Sequence, residues 1–100
     1  MTTNPGLATL REVEVAIRKV EKLSVTFLRE DGRSARSSTR GFTPYMYQYK
    51  LSDDFTVTDL INRRLRGPYQ HHGLRIVVLH SDGSVAMGGN RLRTVRETFK

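Results

Sequence analysis

Apolar residues at spacings of three and four mark the beginning of the chain as an amphipathic helix. They are Leu7, Leu10, Val13, Ile17 and Val20. Thr9 and Glu12 have the spacing of a capping box, in which each side chain binds the free backbone N–H of the other residue. The helix is therefore predicted to start after Thr9 and to end near Lys22. Alternation inside the same stretch is also compatible with a strand, but its content of Ala, Glu, Lys and Arg favours the helix.

Three further segments have the composition and period of β-strands. They cover residues 23–29, 45–51 and 74–80. The last of them, LRIVVLH, is apolar on both faces and is expected to lie centrally in a sheet. Asp-Gly pairs at 31–32 and 82–83 predict hairpin turns, the second leading into a return strand at 84–87. Because such turns are common, we interpret them as two similar hairpins and not as evidence of a duplication.

A second, shorter helix is predicted after the strand-breaking residues 52–54. Thr56 or Thr58 caps it, because a hydroxyl accepts a hydrogen bond from the first free backbone N–H groups. Its buried face consists of Val57, Leu60, Ile61 and Leu65. Gly67 and Pro68 are expected to end it. Residues 91–100 have apolar side chains at helical spacing but form a short segment, so both a helix and an irregular tail stay open.

These elements predict a small single domain of the α+β class. An N-terminal helix, β-hairpins and one short helix pack on an antiparallel or mixed sheet in the order α-β-β-β-α-β-β, with the helices on one side. Residues 1–6 are expected to form a flexible N-terminus, and 7–100 the domain. Residues 33–44 offer little apolar surface and are expected to form a mobile loop, although 33–39 could also pair as a return strand.

The charge of the chain favours an acidic partner. The 100 residues carry a formal net charge of +7, with 13 Arg against four Lys. Arg presents a planar fork that suits phosphate, while a bias in codon usage would also explain its excess over Lys. No apolar run reaches the roughly 20 residues of a membrane span, and the N-terminus does not resemble a signal peptide. We therefore expect a cytoplasmic protein without a membrane partner.

Residues 33–50, RSARSSTRGFTPYMYQYK, combine arginines with a row of tyrosines. Side chains alternate along a strand, so three tyrosines would share one face, where rings could stack on bases while guanidinium groups bind phosphates. Alternatively, that face packs on the helices with its hydroxyls at the rim. A second basic stretch without acidic residues covers 63–75. The residues expected to bind nucleic acid or an acidic partner are Arg33, Arg36, Arg40, Tyr45, Tyr47, Arg63, Arg64, Arg66 and Arg75.

The sequence argues against enzymatic chemistry. The chain has no cysteine, which excludes a thiol nucleophile, a disulfide framework and a Cys-ligated zinc site. Its three histidines are His71, His72 and His80, and adjacent residues on an extended segment point in opposite directions. His80, Ser81 and Asp82 are neighbours in a tight turn and cannot adopt the geometry of a catalytic triad. We expect no catalytic residue, no metal and no cofactor.

The run YKLSDDFTVTDLINRRL resembles the ubiquitin-like β-grasp superfamily. The similarity lies in the helix start Phe55-Thr56-Val57-Thr58-Asp59-Leu60-Ile61 and in the order of the hairpin and strand around it, over residues 23–87. Gly88-Gly89 is internal and followed by Asn90, so conjugation and sulfur-carrier chemistry are not implied. The resemblance implies a protein-interaction scaffold.

Two functions follow from these patterns. The first is non-enzymatic binding of nucleic acid or a nucleoprotein, with arginines on phosphates and Tyr45 or Tyr47 stacking. The second is a ubiquitin-like adaptor that docks its basic surface on an acidic partner protein.

Overall fold

A computed structural model describes residues 7–33, 35, 41–69 and 74–99 of the chain. It confirms a small α+β domain. The elements are α1 (Leu10–Glu21), β1 (Ser24–Leu28), α2 (Val57–Leu60), a π-helical stretch (Ile61–Leu65), α3 (Arg66–Tyr69), β2 (Arg75–Leu79) and α4 (Leu92–Glu97). The expected flexible N-terminus at 1–6 and residues 34 and 36–40 of the expected loop lie outside the described residues.

The first helix forms as predicted. Thr9 N–H donates to Glu12 Oε1 at 2.8 Å, and Glu12 N–H donates to Thr9 Oγ1 at 3.1 Å, which completes the capping box. The helix buries the apolar stripe of Leu10, Val13 and Ile17. It ends on Lys22, a residue in the left-handed conformation with φ of 62°. Glycine normally occupies that position because it has no Cβ to clash.

The two strands form an antiparallel pair at the centre of the fold. Ser24 lies opposite Leu79 and Leu28 opposite Arg75, so that Thr26 and Val77 face each other in the middle. Residues that follow each Asp-Gly turn bond to the outer edges of this pair. Ala35 N–H donates to Phe27 O at 3.0 Å, and Ala86 N–H donates to Val78 O at 2.8 Å. Both edges of both strands are therefore at least partly occupied.

The two halves of the chain repeat one arrangement. The two predicted Asp-Gly turns are confirmed and are similar, since the hydrogen bond from Gly32 N–H to Arg29 O (2.9 Å) in the first corresponds to that from Gly83 N–H to His80 O (3.0 Å) in the second. β1 and β2 are themselves counterparts, and they pair with each other. An approximate local two-fold axis therefore passes between Thr26 and Val77.

The correspondence extends to the helices before each strand. A capping threonine begins each helix, Thr9 in the first half and Thr56 in the second, next to an isolated β-bridge. Buried side chains then follow at matching intervals, except that the π-helical stretch inserts one additional residue. They are Leu10, Val13, Ile17 and Glu21 in the first half and Val57, Leu60, Leu65 and Tyr69 in the second. We call residues 8–42 the first unit and 56–91 the second unit.

The predicted strand at 45–51 is wrong. These residues, together with 43–44 and 52–53, form a connector of irregular structure between the two units, without ladder partners among the described residues. The physical reason is that the outer sides of β1 and β2 are partly occupied by the residues after each turn, while Tyr45 and Leu51 bond to the Glu21 side chain. At 84–87, only an isolated bridge between Leu79 and Val85 replaces the predicted return strand.

The second helix starts at the predicted cap but does not stop at Gly67. Thr56 Oγ1 accepts from Asp59 N–H at 3.2 Å, and helical structure continues through Pro68 to Tyr69. Tyr69 is fully buried, its ring meets Phe27 edge-on at 5.6 Å, and its hydroxyl donates to Thr43 O at 2.8 Å. Burial of a large ring is worth about 1.5–3 kcal/mol, which offsets the local preference for a break.

Two other expectations are resolved by the packing. The strand at β2 is less central than predicted, because Val78 is buried while Val77 is only partly covered. The ambiguous tail is helical: α4 buries Leu92 and Val95 against the core.

Candidate functional site

A buried carboxylate, Glu21, joins the end of α1 to the connector and to two other helices. Its side chain is fully buried. Oε2 accepts from Tyr45 Oη and from Arg64 Nη1, both at 2.5 Å. Oε1 accepts from Leu51 N–H at 2.9 Å and from Arg96 Nη2 at 3.1 Å. Four donors thus satisfy the buried charge, as a buried ion requires.

Arg96 extends this network from α4 towards the surface. Its side chain is 5% exposed, and its Nε donates to the backbone oxygen of Glu21 at 2.7 Å. Nη1 donates to Asp53 Oδ1 at 2.7 Å. The hydrogen bond from Arg96 is the main reason that the pKa of Asp53 lies below its usual range, with Lys50 contributing attraction. The network fixes the connector at Tyr45, Leu51 and Asp53.

The tyrosines of the connector divide between the two interpretations of the sequence. Tyr45 is 8% exposed and bonded to Glu21, and burial followed by this carboxylate raises the pKa of its hydroxyl far above the usual value. Tyr47 is 42% exposed and Tyr49 is 80% exposed. Two of the three rings therefore present aromatic surface to solvent, and the third anchors the segment.

Arg64 holds the exposed part of the connector in place. Its guanidinium carbon lies 4.2 Å from the centre of the Tyr47 ring, and its Nη1 donates to Tyr49 O at 2.6 Å. The same nitrogen bonds to Glu21, and the side chain is only 14% exposed. The Tyr45 and Tyr47 rings lie 5.2 Å apart in a tilted arrangement. The structure thus joins Arg64, Tyr45 and Tyr47 into one cluster. Within it, the Arg64 guanidinium already bonds to Glu21 and to the backbone oxygen of Tyr49.

The other predicted arginines lie elsewhere on the surface. Arg63 is exposed, with its guanidinium carbon 4.5 Å from the centre of the Phe55 ring, and Arg66 is exposed one turn further along the helix. Arg33 and Arg75 are exposed at one end of the sheet, since Arg33 bonds to the residue that follows β1 and Arg75 pairs with its last residue. Arg33 also lies 3.9 Å from Asp31. Arg36 and Arg40 fall outside the described residues.

A basic groove runs beside the connector, and the sequence did not predict it. It has a volume of about 600 Å³ and is lined by Lys19, Val20, Lys22, Gln48, Tyr49 and Lys50. We call it the lysine groove. Three of the four lysines in the chain meet there, from the end of α1 and from the connector, and no acidic side chain lines it. The only advance signal was the cluster Lys19 and Lys22 at the end of α1, since Lys50 is distant in sequence.

Comparison with known proteins gives no relative for this chain: no family model, no curated protein and no solved structure matches it. Among the described residues, no helix is both long enough and apolar enough to cross a membrane. Nor does that part of the chain bring together three side chains of the types that ligate metals. His71 and His72 lie outside the described residues.

Proposed function

We propose that this protein binds single-stranded nucleic acid along the connector. The observation that carries the proposal is the exposure of Tyr47 and Tyr49 on a segment that is held in place by buried contacts. An exposed tyrosine on a rigid segment offers a face for an unstacked base without an ordering cost at binding. Bases in a duplex are already stacked, so the preferred partner is a single strand.

The contacts of Arg64 support a preorganised platform. Its guanidinium covers one face of the Tyr47 ring and is itself fixed by Glu21. The ring therefore has a restrained orientation and an accessible surface. Arg64 acts in this proposal as a positioning residue for the rings, while the exposed arginines and the lysine groove supply charge for phosphates.

Electrostatics favour the same partner. With a net charge of +7, the chain attracts a polyanion, and each phosphate that is neutralised releases counterions. Arg33, Arg63, Arg66 and Arg75 have exposed side chains that supply further positive charge for phosphates. Affinity is therefore expected to fall steeply as the salt concentration rises.

The experiment is a fluorescence anisotropy titration with a labelled single-stranded oligonucleotide and its duplex. Tyr47→Ala and Tyr49→Ala should each weaken single-strand binding by about 1–3 kcal/mol, the value of one stacked base. Tyr49→Phe should retain binding. Met46→Ala is the matched control, because Met46 is 74% exposed on the same connector but is not aromatic.

Equal affinities for wild type, Tyr47→Ala and Tyr49→Ala would contradict the stacking platform. Absence of salt-dependent binding to any oligonucleotide would contradict nucleic-acid binding altogether.

A second candidate is the ubiquitin-like adaptor for an acidic protein. Exposed apolar side chains favour it, since Val85 is 62% exposed and Met87 is 74% exposed on the segment that borders β2. Apolar surface of this kind contributes to protein interfaces. The two-stranded sheet of the described residues is smaller than a β-grasp fold would supply, so we rank this candidate second. A pull-down whose partners survive nuclease treatment would favour it.

A further inference from the structure

The lysine groove is a concave basic surface without an acidic lining residue. Arg93, Arg64 and Arg96 each have a carboxylate within 3.1 Å. By contrast, the described residues place no carboxylate within 4 Å of the Lys19 or Lys22 side chain. Lys50 has a single, looser contact of 3.7 Å with Asp53 Oδ1, an oxygen already bonded to Arg96.

A neighbouring cavity makes the contrast sharper. Lys22 and Lys50 also border a second space of about 310 Å³, together with Arg93 and Arg96. Asp53 and Glu97 line that space as well, and Arg93 and Arg96 are also paired with Asp54 and Glu21, so that four carboxylates offset its four positive charges. An anion placed between the two cavities would be drawn to the side that lacks carboxylates, which is the lysine groove.

The backbone at Lys22 adds an independent observation. Lys22 is the only described non-glycine residue with positive φ, at the position after a helix where glycine is usual. A side chain with a Cβ is strained there, at a cost of about 1 kcal/mol. The chain thus keeps a lysine where glycine would fit the backbone better, and this lysine borders the groove.

We propose that the lysine groove binds the terminal phosphate of a nucleic acid strand, with the last base on the Tyr49 ring. The groove offers two lysines without carboxylate partners and a third that is only loosely paired. This positive charge matches a phosphomonoester, which carries about −1.5 to −2 charges, better than an internal phosphodiester, which carries a single negative charge. The groove can contain a phosphate and its sugar, and Tyr49, 80% exposed, forms one of its walls. This proposal rests on the proposed function and names the end of the strand as the group recognised.

The test compares otherwise identical oligonucleotides that end in a phosphate or a hydroxyl. We expect the phosphorylated strand to bind about tenfold more tightly to wild type. Lys22→Gly should abolish that preference while the melting temperature stays equal or rises, because glycine relieves the positive φ. Lys19→Ala should reduce the preference as well. Arg29→Ala is the matched control, because it removes one exposed positive charge outside the groove. This variant should retain the preference for the phosphorylated strand.

The outcomes separate this proposal from the proposed function. Equal affinity for the two oligonucleotides, with salt-dependent binding of both, overturns terminal-phosphate recognition and leaves single-strand binding intact. Absence of binding to either oligonucleotide overturns terminal-phosphate recognition and the proposed function together. A phosphoserine peptide that competes as well as the phosphorylated oligonucleotide overturns the assignment to a nucleic acid, as does a preference that survives in Lys22→Gly.

Discussion

Replacement of Glu21 by glutamine tests whether the buried network holds the connector. Glutamine has nearly the same shape, so the substitution leaves no cavity, but it removes the negative charge and turns one acceptor oxygen into a donor NH2. Either Tyr45 and Arg64 or Leu51 and Arg96 would then face a donor in place of an acceptor. Both guanidinium groups would lose their shared buried counter-ion.

The expected loss can be worked from the burial of the partners. Arg96 is 5% exposed and Arg64 is 14% exposed, so neither can recover full hydration without movement of the chain. Removing one partner of a buried ion pair costs about 3–5 kcal/mol. A loss of about 3 kcal/mol lowers the melting temperature of a domain of this size by about 12–24 °C. Stabilities of small domains are about 5–15 kcal/mol, so Glu21→Gln should fold but melt early.

Urea and thermal denaturation followed by circular dichroism measure the effect. Glu30→Gln is the matched control, since Glu30 is exposed in the first turn and should change stability by less than about 0.5 kcal/mol. Tyr45→Phe removes one of the four hydrogen bonds and should lose about 1.5–3 kcal/mol, the value of a bond to a charged group. If Glu21→Gln were as stable as Glu30→Gln, the carboxylate would not be holding these elements together.

Three further predictions concern pH and close packing. Burial raises the pKa of Tyr69 to about 12, so the stability that its neutral hydroxyl contributes should be complete below about pH 10 and lost towards pH 12. The urea midpoint of Tyr69→Phe should therefore change less than that of wild type over this pH range. The pKa of Asp53 is lowered, so the stability that its carboxylate contributes should be present above about pH 4 and lost as the pH falls further. Asp53→Asn should therefore be less stable than wild type at neutral pH, and its stability should depend less on pH in acid. Stability profiles of wild type and Asp53→Asn that run parallel across this pH range would contradict the prediction. A Cβ on Gly88 would clash with Thr58 Oγ1, whereas one on Gly89 meets nothing within 4 Å. Gly88→Ala should therefore lower the melting temperature more than Gly89→Ala, and adding Thr58→Ala should recover the difference.

Local signals in the sequence were sufficient for the elements whose determinants are local. The capping box at Thr9 and the apolar stripe predicted α1, and the Asp-Gly pairs predicted both turns, because these features depend on residues within a few positions of each other. Alternation of tyrosines at 45–49 gave the wrong element. A strand also requires a free sheet edge, and the occupancy of the edges is a property of the whole fold.

The candidate site was only partly predictable for the same reason. Tyr45, Tyr47 and Tyr49 alternate in one short segment, yet their exposure rises from 8% to 80% along the connector, and Tyr45 is the one bonded to Glu21. Glu21 continues the apolar stripe four residues after Ile17, which was the one local sign of its burial. Its partners lie up to 75 positions away, so the sequence alone could not identify them.

The two-fold arrangement of the units has a consequence for the order of folding. Each Asp-Gly turn closes over a few residues, whereas β1 and β2 join residues about fifty positions apart. Closing the larger loop costs about 2 kcal/mol more in chain entropy, since each doubling of loop length adds about 0.6 kcal/mol. We therefore expect both Asp-Gly turns to form early and independently, and the Thr26–Val77 contact to form late in the slowest step. During synthesis on the ribosome, β1 of the first unit would therefore have no partner strand until β2 has emerged.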